Sequence, residues 1–250
     1  MVLKMFAKAE STEDKRCPQM LLTASPKLCL AIKDHYTRLR QSWRDCAPSS
    51  HRVTLLDQDA DEEFLETEDV PIFQELKDED FPLFWTFGHL LRVLDRSIPG
   101  ERFWGFKRQS SGLVIPSEVD WERFQTHYMN RMPSQAQKKI IGGSVLFGEF
   151  QTIIKGSLRA VEAARALSRV EYLETYRRRD NILALSDMNL IYESFETYQS
   201  AMNQAGEWDS TDAVINLYHR CRKHPRICRS FELDTLAIDE VQDMVSLFAL

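Results

Sequence analysis

The residues from Phe231 onward restrict the fold more than any other stretch. They read Phe231-Glu-Leu-Asp-Thr-Leu-Ala-Ile-Asp239-Glu240-Val241-Gln242-Asp243. A short apolar run ends in two adjacent carboxylates, then Gln and a third carboxylate. A central strand of a parallel sheet is covered on both faces, so it reads as an apolar run rather than as alternation. Leu233, Leu236, Ala237 and Ile238 fit that pattern. Ligands of open α/β sheets lie beyond the carboxyl ends of strands. Asp239 would there reach a metal bound to phosphates, and Glu240 would orient or deprotonate an attacking water. Magnesium takes only one or two carboxylates and keeps several waters, so one Asp is enough. The plainer reading of the same letters is an exposed acidic turn after a strand.

Upstream, the pattern is that of an α/β layer. Residues 1–10 read as a helix with Leu3, Phe6 and Ala7 on one face, and Ser11 to Arg16 as a polar loop. Met20–Thr23 reads as a short strand. Ser25-Pro26 then opens a helix, Ser capping the free amides and Pro occupying the first turn. Leu28, Ile32, Tyr36 and Leu39 give that helix its apolar stripe. Asp57 to Asp69 holds eight acids and no base, the composition of a solvated loop. In Phe81–Asp95, Leu90, Leu91 and Leu94 read as core. Pro99-Gly100 marks a turn and a boundary.

Beyond that boundary the chain reads as mostly helical. Val145, Leu146, Phe147, Phe150, Ile153 and Ile154 form one apolar face, which Gly156 can close. Ile191, Phe195, Tyr198 and Met202 form a second, with Gly206 behind it. Asp212 to Lys223 forms a third, stopped near Pro225. Basic clusters punctuate this region: Lys107-Arg108, Lys138-Lys139, Arg177-Arg178-Arg179, and Arg220, Arg222, Lys223 with Arg226. Such clusters are ordinarily solvated faces. They could instead track a phosphate backbone.

Composition sets the outer limits. A chain of 250 residues with 43% apolar and 28% charged residues can bury a core and suggests one or two domains. Its net charge of −6 gives no global pull toward nucleic acid. No apolar stretch approaches a membrane span, and the N-terminus lacks a signal-peptide core. The five scattered cysteines point to reduced thiols and an intracellular place, nuclear or cytoplasmic. Cys221-x-x-His224-x-x-x-Cys228 lacks a fourth ligand for structural zinc.

Asp239-Glu-Val-Gln-Asp243 resembles the Walker B box, motif II, of superfamily 1 helicases of the UvrD/Rep type. Gln19-Met-Leu-Leu-Thr23-Ala-Ser25-Pro26-Lys27 resembles their motif Ia, and Leu83–Leu94 the Thr-Phe-His segment that follows it. Ala205-Gly206-Glu-Trp-Asp209, then Pro225-Arg-Ile-Cys, resembles the stretch before motif II. Phe81–Phe87 and Phe150–Ser157 are similar to the helicase-like module of large proteins containing TPR and ankyrin repeats. The resemblance implies an α/β fold: an incomplete RecA-like P-loop NTPase core with a parallel sheet and a large, mainly helical insertion. Residues 1–98 would be the first part of the motor domain, 99–230 the insertion, and 231–250 the returning strand with Walker B.

It further implies ATP and Mg2+ as cofactors, with Asp239 on the metal and Glu240 and Gln242 in catalysis. Asp239, Glu240 and Asp243 would lie at the nucleotide. Thr23, Ser25, Thr86, Phe87 and His89 would face single-stranded nucleic acid, DNA ahead of RNA. The other implied partner is the remainder of the motor. One departure limits all of this. The family cradles phosphate with Gly-x-x-x-x-Gly-Lys-Thr/Ser, and none of the nine glycines here is followed by Lys. The expectation is an excerpt of an ATP-dependent helicase, inactive by itself. The alternative is a non-catalytic interaction module or a remnant.

Overall fold

The computed structural model describes residues 2–11, 18–46, 70–104, 107–109, 112–114, 117–134, 142–177, 184–229 and 231–239. These fall into two compact units, one built from residues 2–99 and 224–239, the other from 100–223. The fold is mixed α/β, with a small parallel sheet and a larger share of helix. Among the described residues, no helix is long and apolar enough to cross a membrane.

The first unit is organised by three short strands: β1 (Gln19–Thr23), β2 (Leu83–Thr86) and β5 (Thr235–Ile238). Their order is β2-β1-β5 and both pairings are parallel. Every residue of β1 is buried, as the middle strand of a covered sheet must be. The expectation that residues 233–238 supply a strand covered on both faces is corrected here. Among the described residues β5 lies at the edge, and Leu236 is 50% exposed while Ala237 is buried.

Helices α1 (Val2–Ser11) and α2 (Pro26–Cys46) pack with the sheet. Met5, Leu21 and Ala237 form the centre, with Ile32 and Phe84 against them. Tyr36 bridges the layers, its ring 6.1 Å from Phe6 and 5.3 Å from Phe84. The α2 stripe falls where periodicity places it, although its most buried members are Cys29 and Tyr36. Burial pushes the Cys29 thiol up to about 11. Polar ties fasten α1: Gln19 Nε2 donates to the Met5 carbonyl at 3.1 Å, and Lys8 Nζ to Thr235 Oγ1 at 2.6 Å and to the Asp234 carbonyl at 3.0 Å. Helix α3 (Phe87–Ser97) follows β2 directly. Its Leu91 is buried, whereas Leu90 and Leu94 are only half-buried. Near its end Ser97 Oγ accepts the Phe73 N–H at 2.8 Å.

The second unit contains a small antiparallel pair, β3 (Lys107–Gln109) with β4 (Gly112–Val114). Among its other described residues, helices predominate. A single turn, α4 (Trp121–Arg123), runs into a π turn at Phe124–Tyr128. Helix α5 (Gly143–Glu149) runs likewise into a π turn at Phe150–Ile154. Then come α6 (Leu158–Ala163), α7 (Arg169–Arg177), α8 (Leu185–Ala205) and α9 (Ser210–Lys223). Leu146, Phe150 and Ile154 are fully buried. Their spacing of four overshoots the 3.6-residue period of an α-helix, and the wider π turn accommodates it. Val145, expected on that face, is instead 46% exposed.

Helix α8 buries Ile191, Phe195, Tyr198 and Met202, and ends at Gly206 with φ 68°. That left-handed closure is inexpensive only for glycine. Arg220, grouped above with the basic cluster of the solvated face, is corrected to a buried position, 7% exposed. The last helix among the described residues, α10 (Pro225–Cys228), belongs to the first unit and starts at Pro225, where α9 could not continue.

Candidate functional site

The parallel register brings three polar residues to one edge of the sheet. Thr23 ends β1 and is the Cα partner of Thr86, which ends β2. On the other side Leu22 pairs with Ile238, and the Asp239 N–H donates to the Leu22 carbonyl at 2.8 Å. Asp239 therefore leaves β5 level with Thr23. All three strands run the same way, so Thr86, Thr23 and Asp239 line up at the carboxyl edge. Two strand spacings separate the outer residues, about 10 Å. Asp239 is half-buried.

The neighbouring helices start at the same edge, and their caps occupy the two threonines. Thr23 is wholly buried, and its Oγ1 accepts the Ser25 N–H at 3.2 Å. Ser25 Oγ in turn accepts the Leu28 N–H at 3.3 Å, capping α2. Thr86 is 8% exposed, and its Oγ1 accepts the His89 N–H at 3.2 Å, capping α3. Each hydroxyl satisfies one of the amides that a helix start leaves without an intrahelical partner. Phe87 is half-buried in the first turn of α3. The His89 ring packs on Trp85 at 5.0 Å. Burial, then the Arg92 guanidinium, hold its imidazole below the usual histidine range.

Glu240, Gln242 and Asp243 lie outside the described residues, as does the acidic run Asp57–Asp69. Of the basic clusters, residues 138–139 and 178–179 also lie outside them. Among the described residues, no three His, Cys, Asp or Glu side chains gather as a metal cluster. Cys221 and Cys228 are each half-buried.

What this edge offers chemically is limited. One carboxylate at a strand tip suits magnesium, which needs one or two and fills its remaining positions with water. Nucleotide phosphates need a backbone cradle and a cation. The caps of α2 and α3 already use hydroxyls that could turn to a ligand, and no glycine precedes a lysine. The described residues thus fit one magnesium contact and do not by themselves fit a nucleotide.

A second polar constellation, in the other unit, escaped the sequence reading as a unit. Lys155, 3% exposed, follows the π turn and reaches Asp209 Oδ2 at 2.6 Å and Asp212 Oδ1 at 2.7 Å. Tyr198 O–H donates to Asp209 Oδ2 at 3.0 Å. Asp209 and Asp212 also exchange bonds as a cap of α9, each accepting the other's N–H at 3.1 Å. Asp209-Ser-Thr-Asp212 carries the spacing of a capping box, which was the available signal. The same spacing at Ser168-Arg-Val-Glu171 caps α7: Glu171 Oε2 accepts the Ser168 N–H at 2.8 Å. Arg165 and two bonds from Ser168 hold the Glu171 carboxyl well below the usual range.

No family model and no solved structure matches the chain. It is 22% identical, over 271 aligned residues, to TPR and ankyrin repeat-containing protein 1 of Homo sapiens. The alignment takes in 90% of this chain and 8% of that protein, so the chain spans well under a tenth of the relative's length. The assignment to the UvrD/Rep-type superfamily 1 helicases is corrected by these findings. No helicase model matches, and the relative's name describes a repeat protein. A five-residue acidic string behind an apolar strand carries too little information to establish a family, because any strand-to-turn junction can present it. What stands is a distant similarity to one stretch of a much longer repeat-containing protein.

Proposed function

We propose that the first unit supplies the carboxylate side of a magnesium–nucleotide site in a larger ATP-hydrolysing protein, and that these 250 residues do not turn over ATP alone. The observation that carries the reading is the alignment of Asp239 with Thr23 and Thr86 at the carboxyl edge of a parallel sheet. This is the edge where open α/β sheets bind phosphate ligands. An incomplete RecA-like core is the finer fold reading that accompanies it. Asp239 would contact magnesium, and the residues that hold phosphate would come from elsewhere in the larger protein. Single-stranded nucleic acid, DNA ahead of RNA, would pass near Ser25, Phe87 and His89.

The test uses the chain as it is. Manganese, a paramagnetic stand-in for magnesium, is added while the backbone amide signals are recorded. Broadening centred on residues 22–23, 86 and 238–239 is expected, and Asp239→Asn should abolish it. Broadening that ignores this edge, or survives Asp239→Asn, would remove the site. ATP turnover by the chain alone would contradict the second half of the proposal.

A non-catalytic interaction module is the second reading. The capping duties of Thr23, Ser25 and Thr86 favour it, since each hydroxyl already has a structural role. It would leave the amides at the strand tips undisturbed by manganese.

A further inference from the structure

Two sequence stretches that the proposed site does not use meet inside the second unit. Lys155 comes from the Phe150–Ser157 segment, and Asp209 ends the Ala205–Asp209 segment. They are 54 residues apart and join through a 2.6 Å ion pair. The cluster has one ammonium and two carboxylates. Lys155 is 3% exposed and Asp209 has no exposed side-chain surface, while Asp212 keeps 28%. With every group ionised, the interior carries one negative charge too many. Burying uncompensated charge is costly, and a proton is the simplest way to remove it.

Among the described residues, Lys155 is the cation that pairs with these two carboxylates. The start of α9 contributes Asp209 and Asp212, and the π turn contributes Lys155. Helix α8 contributes Tyr198, whose hydroxyl donates to Asp209 and which burial and the Asp209 charge keep protonated. Behind Tyr198 lies Tyr128, ring to ring at 5.2 Å. Tyr128 donates to Glu207, which Arg123 already neutralises. Burial and the Asp209 charge push the Asp212 carboxyl up, against the pull of Lys155.

We propose that Lys155, Asp209 and Asp212 act as a proton-operated latch on the first turn of α9. The partly exposed Asp212 is the group that exchanges its proton with solvent. With that proton bound the cluster is neutral, and the π turn holds the helix start firmly. When it leaves, two carboxylates compete for one ammonium and the first turn opens more often.

The sign follows from the direction of the shift. A carboxyl whose folded value lies above its unfolded value contributes stability below the unfolded value, and that stability is lost as pH rises through the folded one. Each unit of upward shift corresponds to about a tenfold change in the closed population. Hydrogen exchange of the α9 first-turn amides tests this, with rates corrected for intrinsic chemistry. As pH rises from the ordinary carboxyl value of 3.8 through the raised one, protection should fall in the native chain. Asp212→Asn, which carries no titrating proton, should give a flat profile. An unchanged slope in Asp212→Asn, or a flat profile in the native chain, overturns the latch. Should that variant not fold, carbonyl-carbon NMR of Asp212 in the native chain decides. A midpoint above 3.8 is expected, and one at or below it overturns the proposal.

Discussion

The two units use polar side chains in opposite ways. In the first, polar residues sit where strands end, at an edge of a three-stranded sheet on which Met5, Leu21 and Ala237 cluster among the described residues. In the second, a continuous core runs from Val119 to Met202 and is dominated by rings such as Phe124, Phe150, Tyr172 and Tyr198. Its polar groups turn inward and bind helices together. Tyr172 O–H donates to Glu149 at 3.0 Å, Tyr192 O–H to the Leu167 carbonyl at 2.8 Å, and Lys155 joins Asp209. A sheet edge gathers polar groups at its strand ends, where helix starts use the two threonine hydroxyls and Asp239 stays half-buried. A helical bundle spends them on its own architecture.

The sharpest way to break this contrast is to cut each core at its centre. Phe150→Ala removes a ring that touches Phe124, Phe195 and Tyr198. It should cost about 3–5 kcal/mol. Leu21→Ala, in the cluster with Met5 and Ala237, should fall at the low end of about 2–5 kcal/mol. Chemical denaturation, followed by tryptophan fluorescence, reads both. A greater loss at Leu21 would reverse the ranking of the two cores.

Thr86→Ala comes next. It deletes the cap of α3 and should cost about 1 kcal/mol, seen as a lower denaturation midpoint. A neutral result would free Thr86 from its structural duty and favour a ligand role. The smallest effect belongs to the second unit. Ala164 closes α6 with φ 53°, a left-handed conformation that costs a residue with a Cβ. Ala164→Gly should stabilise the unit by up to about 1 kcal/mol in the same experiment. A loss of stability would show that glycine's extra freedom when unfolded outweighs the relieved strain.

Much of the local structure was legible in the letters. Ser25-Pro26 opens α2, the Ile191–Met202 stripe is buried, and Gly206 closes α8. Each depends on residues within about one helical turn, where spacing fixes which side chains share a face. Where reading failed, the deciding partner was distant. Leu236 reads as a covered residue but lies on an edge strand, because strand order is set by packing. Arg220 reads as a surface cation and is buried. Val145 reads as core, yet it is 46% exposed beside the fully buried Leu146.

The candidate site divides in the same manner. From sequence alone came the place of Asp239 at a strand end and the Ser25 cap that follows β1, whereas the cap at Thr86, read from the letters as a nucleic-acid residue, came from the structure. Only the tertiary structure decided that Asp239 stands level with Thr23 and Thr86, since parallel pairing between remote segments sets that register. Only it brought Lys155 to Asp209 and Asp212. Hydrophobic periodicity and capping are short-range and repeat along the chain. Strand pairing and buried charge are settled where the chain returns on itself.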